Sequence, residues 1–340
     1  VIPNFRKDSV AAYDKAKEVL IRLNYCQDST ADSNLVLAVK KFQSDNGLIP
    51  DGLIGKYTAK MLEYSTMDIY IQAAVNLEKW RWIENWGDQY IFANIPEYMI
   101  KIYKENNLVR ENRTVVGTVA NYTPEIDSKL QRFIVNPEWY VPYSITSKEL
   151  IPKMKKDPTY LARNGYAMTS GAEISSIDWV NANPSTFSHK IKQTSGGYNA
   201  LGKVKFIFKN SHSVYFHDTP SKSFFERDIR SYSHGCVRVQ YPFEIARYIV
   251  NEEDNEFWKT NFDSIIQTRA KKTFTPKKEY PIHIGYFTSA GDSLGNLRTF
   301  VDIYNQHDSL KGSYRKLWNE NYTEIPKIDT LLISQIDLRK

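Results

Sequence analysis

The apolar residues of this chain repeat at helical spacing up to Leu62 and at strand spacing from Gln89, with the change falling near Gly87. One uniform architecture cannot satisfy both periods. On the helical side, Ala16, Val19, Leu20 and Leu23 mark one amphipathic run, and Leu35, Leu37, Ala38, Val39 and Phe42 a second. Asn46-Gly47 ends that second run with a residue able to take positive φ, Pro50-Asp51-Gly52 makes the next turn, and Thr58 to Leu62 begins a third short helix. On the other side, QYIFANI, YMIKIY and RTVVG are rich in β-branched and aromatic residues, with a turn at Asn106-Asn107. The predicted class is α+β. A three-helix module covers 10–66, a helical linker or scaffold 67–87, a β-rich domain 88–305 and a C-terminal extension of mixed helix and loop 306–340. The 340 residues exceed the usual size of one compact domain, as that division requires.

Within the linker, DIYIQAAVNLEKWRWIENW carries Trp80, Trp82 and Trp86, which read as packing residues bracing the module against the β-rich domain. Further strands are predicted at Gln131–Val135, Val204–Phe208 and Ser213–Phe216, the last two joined as a hairpin by Lys209–His212. Between Ser144 and Gly202 the strand pattern breaks: SKELIPKMKKD is helix-like, Pro152, Pro158 and Pro184 interrupt, and TSGGYNALG is a loop. This reads as an insertion over about 145–202, and a segment of that length inside a compact domain is expected to act as a lid over a site. A Pro-led helix is predicted at Pro242–Asn251, then a charged linker at Lys271–Glu279 and the strand-like YPIHIGYFTS.

The apolar share of 41% and the 23 Tyr allow a sizeable core and adhesive grooves. A net charge of +6, from 45 basic and 39 acidic residues well mixed along the chain, suits an acidic polymer. It falls short of a nucleic-acid footprint, and no basic patch interleaved with aromatics appears, so nucleic acid is not an expected partner. No stretch approaches the roughly 18 apolar residues of a membrane span, and no basic-then-apolar leader opens the chain. Beginning at Val1, the sequence reads as a mature or trimmed form, which leaves open whether a membrane anchor was removed. Cys26 and Cys236, far apart, make no disulfide framework, so one of them is free to be a reagent.

The stretch VYFHDTPSKSFFERDIRSYSHGCVRVQ, Val214 to Gln240, carries the chemistry. His217 ends a predicted strand, and Ser233-His234-Gly235-Cys236 forms a tight loop ahead of a helix. Cysteine attacks as thiolate and needs a base whose pKa lies near neutrality, which makes Cys236 the candidate nucleophile and His217 its base. Gly235 would admit substrate close to the backbone, and the amides of His234 to Cys236 could hold an oxyanion. Two roles stay open for His234: tuning the thiolate, or a structural hydrogen bond to the loop. Asp218 is adjacent to His217 on a strand and points to the opposite face, so a backbone carbonyl is the expected orienter of the imidazole.

The run AVKKFQSDNGLIPDGLIGKYTAKML, Ala38–Leu62, resembles the peptidoglycan-binding domain found beside many wall hydrolases. Its FQ…GL…DG..G..T pattern is intact at Phe42, Gln43, Gly47, Leu48, Asp51, Gly52, Gly55 and Thr58, although a tight helical hairpin asks for the same turn residues. From roughly Ile71 to Tyr304 the chain resembles L,D-transpeptidases of the large Gram-negative type. The resemblance rests on His-x15-Ser-His-Gly-Cys-Val-Arg and on NIPEY, NPEWYVP, GGYNALGKVKF, VYFHDTP and SHGCVRV in the family's order. It implies Cys236 as nucleophile, His217 as base and His234 and Gly235 as the motif around them. It further implies Arg238, Tyr215, Arg230, Trp139, Tyr140 and Asn199 as substrate-binding or groove-lining positions, and a capping subdomain over Ser144–Gly202. The two small departures, Phe216 before the histidine and Lys209 at the end of the preceding strand, do not touch the chemistry.

The reaction so implied is attack on the bond between the third residue of a tetrapeptide stem and its terminal D-Ala. A thioester forms on Cys236, D-Ala leaves, and the acyl group passes to a second stem as a 3–3 cross-link. The implied partners are peptidoglycan stem peptides as donor and acceptor, with carbapenem β-lactams as covalent inhibitors. No cofactor or metal is expected; His189, His212, His283 and His307 lack ligand spacing. The implied location is the periplasm or cell envelope. Water or a lipoprotein lysine as acceptor, and a catalytically inactive wall-binding protein, are the competing readings. Papain-like and sortase-like enzymes differ in the order or spacing of Cys and His.

Overall fold

The computed structural model describes residues 2, 9–27, 32–83, 86–292 and 295–321. Three helices open the chain: α1 (Ser9–Arg22), α2 (Asp32–Asp45) and α3 (Lys56–Leu62). Their apolar stripes meet in one cluster built from Ala12, Ala16 and Leu20, Val39 and Phe42, and Ile54 and Leu62. Gln43 is buried and satisfies the turn between α2 and α3: its Nε2 donates to Asp51 Oδ1 at 2.8 Å and Leu53 O at 2.9 Å. Its Oε1 accepts from the Gly52 N–H at 2.8 Å. Gly52 sits at φ 82°, in the left-handed region that glycine adopts at least cost.

Helix α4 (Thr66–Arg81) starts in a capping box formed by Ser65 and Asp68. Its buried face carries Gln72 and Asn76, whose amides donate to Phe300 O at 3.0 Å and to Thr288 Oγ1 at 2.9 Å. Trp80 stacks on Phe287 at 4.6 Å between ring centroids, and Trp86 on His283 at 4.3 Å. α4 is therefore fastened to the β-domain by buried polar bonds and aromatic packing.

The β-domain begins with β1 (Gln89–Asn94), β2 (Met99–Lys104), β3 (Asn107–Gly117) and β4 (Ile126–Val135). Then comes a separate layer made of β5 (Trp139–Tyr140), α5 (Tyr143–Ile145), a π-helical turn at Thr146–Leu150, α6 (Ile151–Lys156), α7 (Tyr160–Arg163), β6 (Tyr166–Met168) and β7 (Ile191–Gln193). The main sheet resumes with β8 (Val204–Phe208), β9 (Phe216–His217), β10 (Ser231–Ser233) and β11 (Val237–Val239). α8 (Pro242–Glu252), α9 (Glu256–Gln267), β12 (Lys272–Phe274), β13 (Pro281–Gly285), β14 (Ser289–Gly291), β15 (Leu297–Thr299) and α10 (Asp308–Asn321) complete it. The strand order β10-β3-β11-β9-β8-β4-β13-β1-β2 closes on itself, because β3 pairs with β2 along its first part and with β11 and β10 near its end. The interior holds Phe133, Phe206, Phe216, Val237 and Ile282 under α8 and α9.

The cap is a unit of its own. Its sheet has the order β5-β7-β6, and Leu150, Ile151, Met154, Leu161, Trp179 and Phe187 form a cluster separate from the main core. It starts earlier than the predicted 145, because Trp139 and Tyr140 pair with Gln193 and Lys192. Two local expectations are corrected. The hairpin's second strand starts at Phe216 rather than Ser213, since Ser213 sits at φ 57° in the turn. The cysteine loop leads into strand β11, not directly into a helix, which begins only at Pro242. Of the C-terminal extension, α10 packs along α4, with Arg315 paired to Asp68; residues 322–340 lie outside the described residues.

Candidate active site

Three neighbouring strands set the site. β9 pairs antiparallel with β8, Lys205 opposite His217 and Phe206 opposite Phe216. β9 also pairs in parallel with β11, Val237 beside Phe216 and Arg238 beside His217. Side chains alternate across a strand, and Phe206, Phe216 and Val237 are in the main core. Lys205, His217 and Arg238 therefore form a row on the other face. Tyr215 and Cys236, each one residue ahead of a core position, share that face.

The loop bearing Cys236 is held by its own backbone. Ser233 Oγ donates to the Cys236 carbonyl at 2.5 Å and accepts from the Gly235 N–H at 3.1 Å. Thr123 Oγ1 donates to the Gly235 carbonyl at 2.8 Å. Gly235 takes φ 111°, a conformation that a side chain would strain. Its N–H is thus engaged by Ser233, which narrows the expected oxyanion donors to the amides of His234 and Cys236. Cys236 is partly exposed, with Sγ 3.8 Å from the Ser213 carbonyl.

His217 is 5% exposed. Its Nδ1 contacts the Asp218 carbonyl at 2.5 Å, and a carbonyl only accepts, so Nδ1 carries the hydrogen and Nε2 the lone pair. The Asp218 carboxylate faces away, taking the N–H groups of Lys203 and Thr219 at 2.9 and 2.8 Å. Burial first, then the charges of Arg238 and Lys205, push the His217 pKa down to about 3. The Cys236 thiol is pushed up by burial, against hydrogen bonds from the Tyr215 backbone and phenol and the charges of Lys205 and Arg238. The resting pair is a neutral imidazole and a thiol.

A cleft of about 640 Å³ opens over this face. Cys236, His217, His234, Tyr215, Arg238, Trp139 and Tyr140 all line it. The cap supplies the opposite wall, including Glu149, whose Oε1 lies 2.8 Å from His234 Nε2. Two predicted residues stand elsewhere. Arg230 is 3% exposed, its guanidinium donating to Thr114 O and Arg227 O and lying 5.0 Å over the Tyr98 ring. It is a strut between β10 and β3 with no face toward a ligand, and burial lowers its pKa to about 10. Asn199, also buried, donates to Pro137 O and Thr194 O, both at 2.9 Å, and accepts from Leu201 N–H at 2.8 Å. It ties the chain entering the cap to the chain leaving it. Lys205 and Glu149 line the cleft but were absent from the expected set. Only the β8–β9 register, which sets Lys205 opposite the histidine, could have found the first.

Residues 88–284 match the YkuD model, described as the L,D-transpeptidase catalytic domain. Residues 11–62 match the model named "Putative peptidoglycan binding domain". A Haemophilus influenzae protein named "Putative L,D-transpeptidase" is 33% identical over 236 residues, 68% of this chain, and the chain spans about half, 47%, of that relative's length. An L,D-transpeptidase structure from Stackebrandtia nassauensis aligns at 11% identity and TM-score 0.31, covering 81% of this chain and 91% of its own. One from Mycobacterium smegmatis aligns at 12% identity and TM-score 0.28, covering 58% of each. With the catalytic-domain model spanning more than half of its residues, this chain belongs to the YkuD family of L,D-transpeptidase domains, joined to an N-terminal module of the peptidoglycan-binding type.

Proposed function

We propose that the chain is an L,D-transpeptidase that acts on peptidoglycan tetrapeptide stems through a thioester on Cys236. The observation that carries this reading is the shared face of β9 and β11, which sets Cys236, Tyr215, His217 and Arg238 under one cap. Neutral His217 takes the thiol proton through Nε2 as sulfur attacks the carbonyl of the last peptide bond. The tetrahedral oxyanion falls to the amides of His234 and Cys236. An imidazolium wedged between Arg238 and Lys205 is a strong acid, so it protonates the leaving D-Ala amine readily. The freed imidazole then deprotonates the side-chain amine of a second stem, which displaces sulfur and leaves a 3–3 cross-link. Water in that place gives an L,D-carboxypeptidase, and a lipoprotein lysine gives protein attachment, with the same nucleophile.

The strained ring of a carbapenem meets the same sulfur and would leave a stable acyl-enzyme. The helical module would keep the enzyme on the wall polymer, which sets the place of work in the cell envelope, in a Gram-negative cell the periplasm. No described helix is long and apolar enough to cross a membrane. Intact-mass spectrometry with a tetrapeptide muropeptide tests the reading: the wild type gains the donor mass less D-Ala and yields dimer. Cys236→Ala gains nothing and loses turnover by at least about 1000-fold. An alanine variant that keeps full activity removes Cys236 from the mechanism.

A further inference from the structure

The row Lys205, His217, Arg238 holds two cations flanking the proposed base. Glu138 and Glu149, the carboxylates lining the same cleft, are already paired, to Lys192 at 2.7 Å and to His234 at 2.8 Å. Among the described residues no ion pair reaches Lys205 or Arg238. Lys205 Nζ rests instead 3.7 Å from the centroid of the Tyr215 ring, and Arg238 Nε is buried without a hydrogen-bond partner. Lys205 and Arg238 are half-buried cations facing one cleft and neither is held in such an ion pair, an arrangement that favours an anion arriving with the ligand.

The proposed chemistry says where that anion would be. His217 must reach the nitrogen of the scissile bond to protonate it. On the leaving residue, the carboxylate carbon is two bonds from that nitrogen, about 2.5 Å away. Adjacent strands lie about 4.8 Å apart, so the groups one strand to either side of His217 are those that can touch it. We propose that Lys205, with Arg238 on the opposite side, binds the free carboxylate of the leaving residue and makes the enzyme selective for the last peptide bond of a stem. A stem longer by one residue carries its carboxylate about 3.8 Å further on, beyond the row. This inference rests on the acyl-transfer reading above and names its substrate class: peptides with a free acid immediately after the scissile bond.

The test compares a tetrapeptide stem with its C-terminal carboxamide, reading the rate of acyl-enzyme formation by intact mass in wild type, Lys205→Met and Lys205→Arg. The wild type acylates with the free acid about 30-fold faster than with the amide. Lys205→Met brings the preference below about 3-fold by slowing the free acid more than the amide, and Lys205→Arg restores most of it. Because the Lys205 charge also acts on the Cys236 thiol, alkylation by uncharged iodoacetamide is measured in all three proteins as the reference for sulfur reactivity, and the preference is read as the ratio of free acid to amide within each protein. A methionine variant that keeps the preference of free acid over amide overturns the proposal. If Lys205→Met fails to fold, a wild type indifferent to amidation overturns it alone. A wild type that alkylates normally yet acylates with neither donor instead overturns the acyl-transfer reading, and this inference with it.

Discussion

Two small units sit on the main sheet, the helical module and the cap, and they are attached in different ways. The module shares its core with the β-domain: Val301 lies in its apolar cluster, with Ile229 and Ile303 packed against it. Polar bonds cross the same seam, from Ile49 N–H to Asp228 Oδ1 at 2.8 Å and from the Arg298 guanidinium to the Asp45 carbonyl at 3.2 Å. The cap keeps its apolar cluster to itself, and its described ties to the rest are polar: Asn199 at its neck, Ser195 Oγ to Arg269 O at 3.0 Å, and Glu149 with His234. Shared apolar burial fixes two bodies in one orientation, whereas separate cores joined by polar contacts can move against each other. The module is fixed to the β-domain, whereas the cap is joined to it by contacts that allow it to move.

The largest effect that separates the two is expected in the module. Gln43→Ala leaves Asp51, Leu53 and Gly52 without their buried partner and should cost about 3 kcal/mol. Because the module's core continues into the β-domain, unfolding should remain a single transition at lower temperature, seen by calorimetry. An early transition that leaves the catalytic unit at its original midpoint would break the contrast, since the module would then be a separable body like the cap.

A smaller effect is expected at the cap. Glu149→Gln weakens its contact with His234, in which the two side chains are 36% and 52% exposed. Such partly hydrated pairs contribute little to folding. The melting midpoint should stay unchanged while KM for the donor stem rises about 3-fold, because the closed cleft is populated less. Equal KM, or a lowered midpoint, would mean that the contact does not hold the cap shut.

The two units also differ in how far sequence describes them. The module's FQ…DG pattern is legible because Gln43, Asp51, Gly52 and Thr58 bond one another within a short stretch. Cys236 and His217 stand out in the sequence by residue type, and the register of β9 and β11 brings both to the face that lines the cleft. Arg230 and Asn199 lie buried outside the cleft lining for a common reason: their burial depends on partners remote in sequence, Tyr98 and Thr114 for one and Pro137 for the other. Lys205 escapes notice because strand alternation alone sends it outward, and only the cap, folded from residues before it, turns that outer face into a cleft wall.

The smallest expected effect is the absence of one, and it reports directly on whether the cap is shut. His217 titrates at about 3 instead of 6.5 chiefly because it is buried. Above that lowered value the imidazole is neutral, so the proposed base is in its working form throughout the mildly acidic range. Acylation by a donor at fixed saturation should change less than about 2-fold between pH 7 and pH 5. A cap standing open in solution would rehydrate the ring, return its pKa toward 6.5, and produce a rate that falls about 10-fold per unit below that value. The same shift affects folding. Between about 3 and 6.5 the unfolded chain binds a proton at this position and the folded chain does not, so the histidine's share of stability is lost as pH falls through that window. His307, lowered to about 4 mainly by burial, acts in the same direction. A flat rate profile over a pH range in which the melting midpoint declines would locate the protection of His217 in the closed, folded cleft. A parallel fall in both would place the base in solvent and make the cap a loose cover rather than a wall.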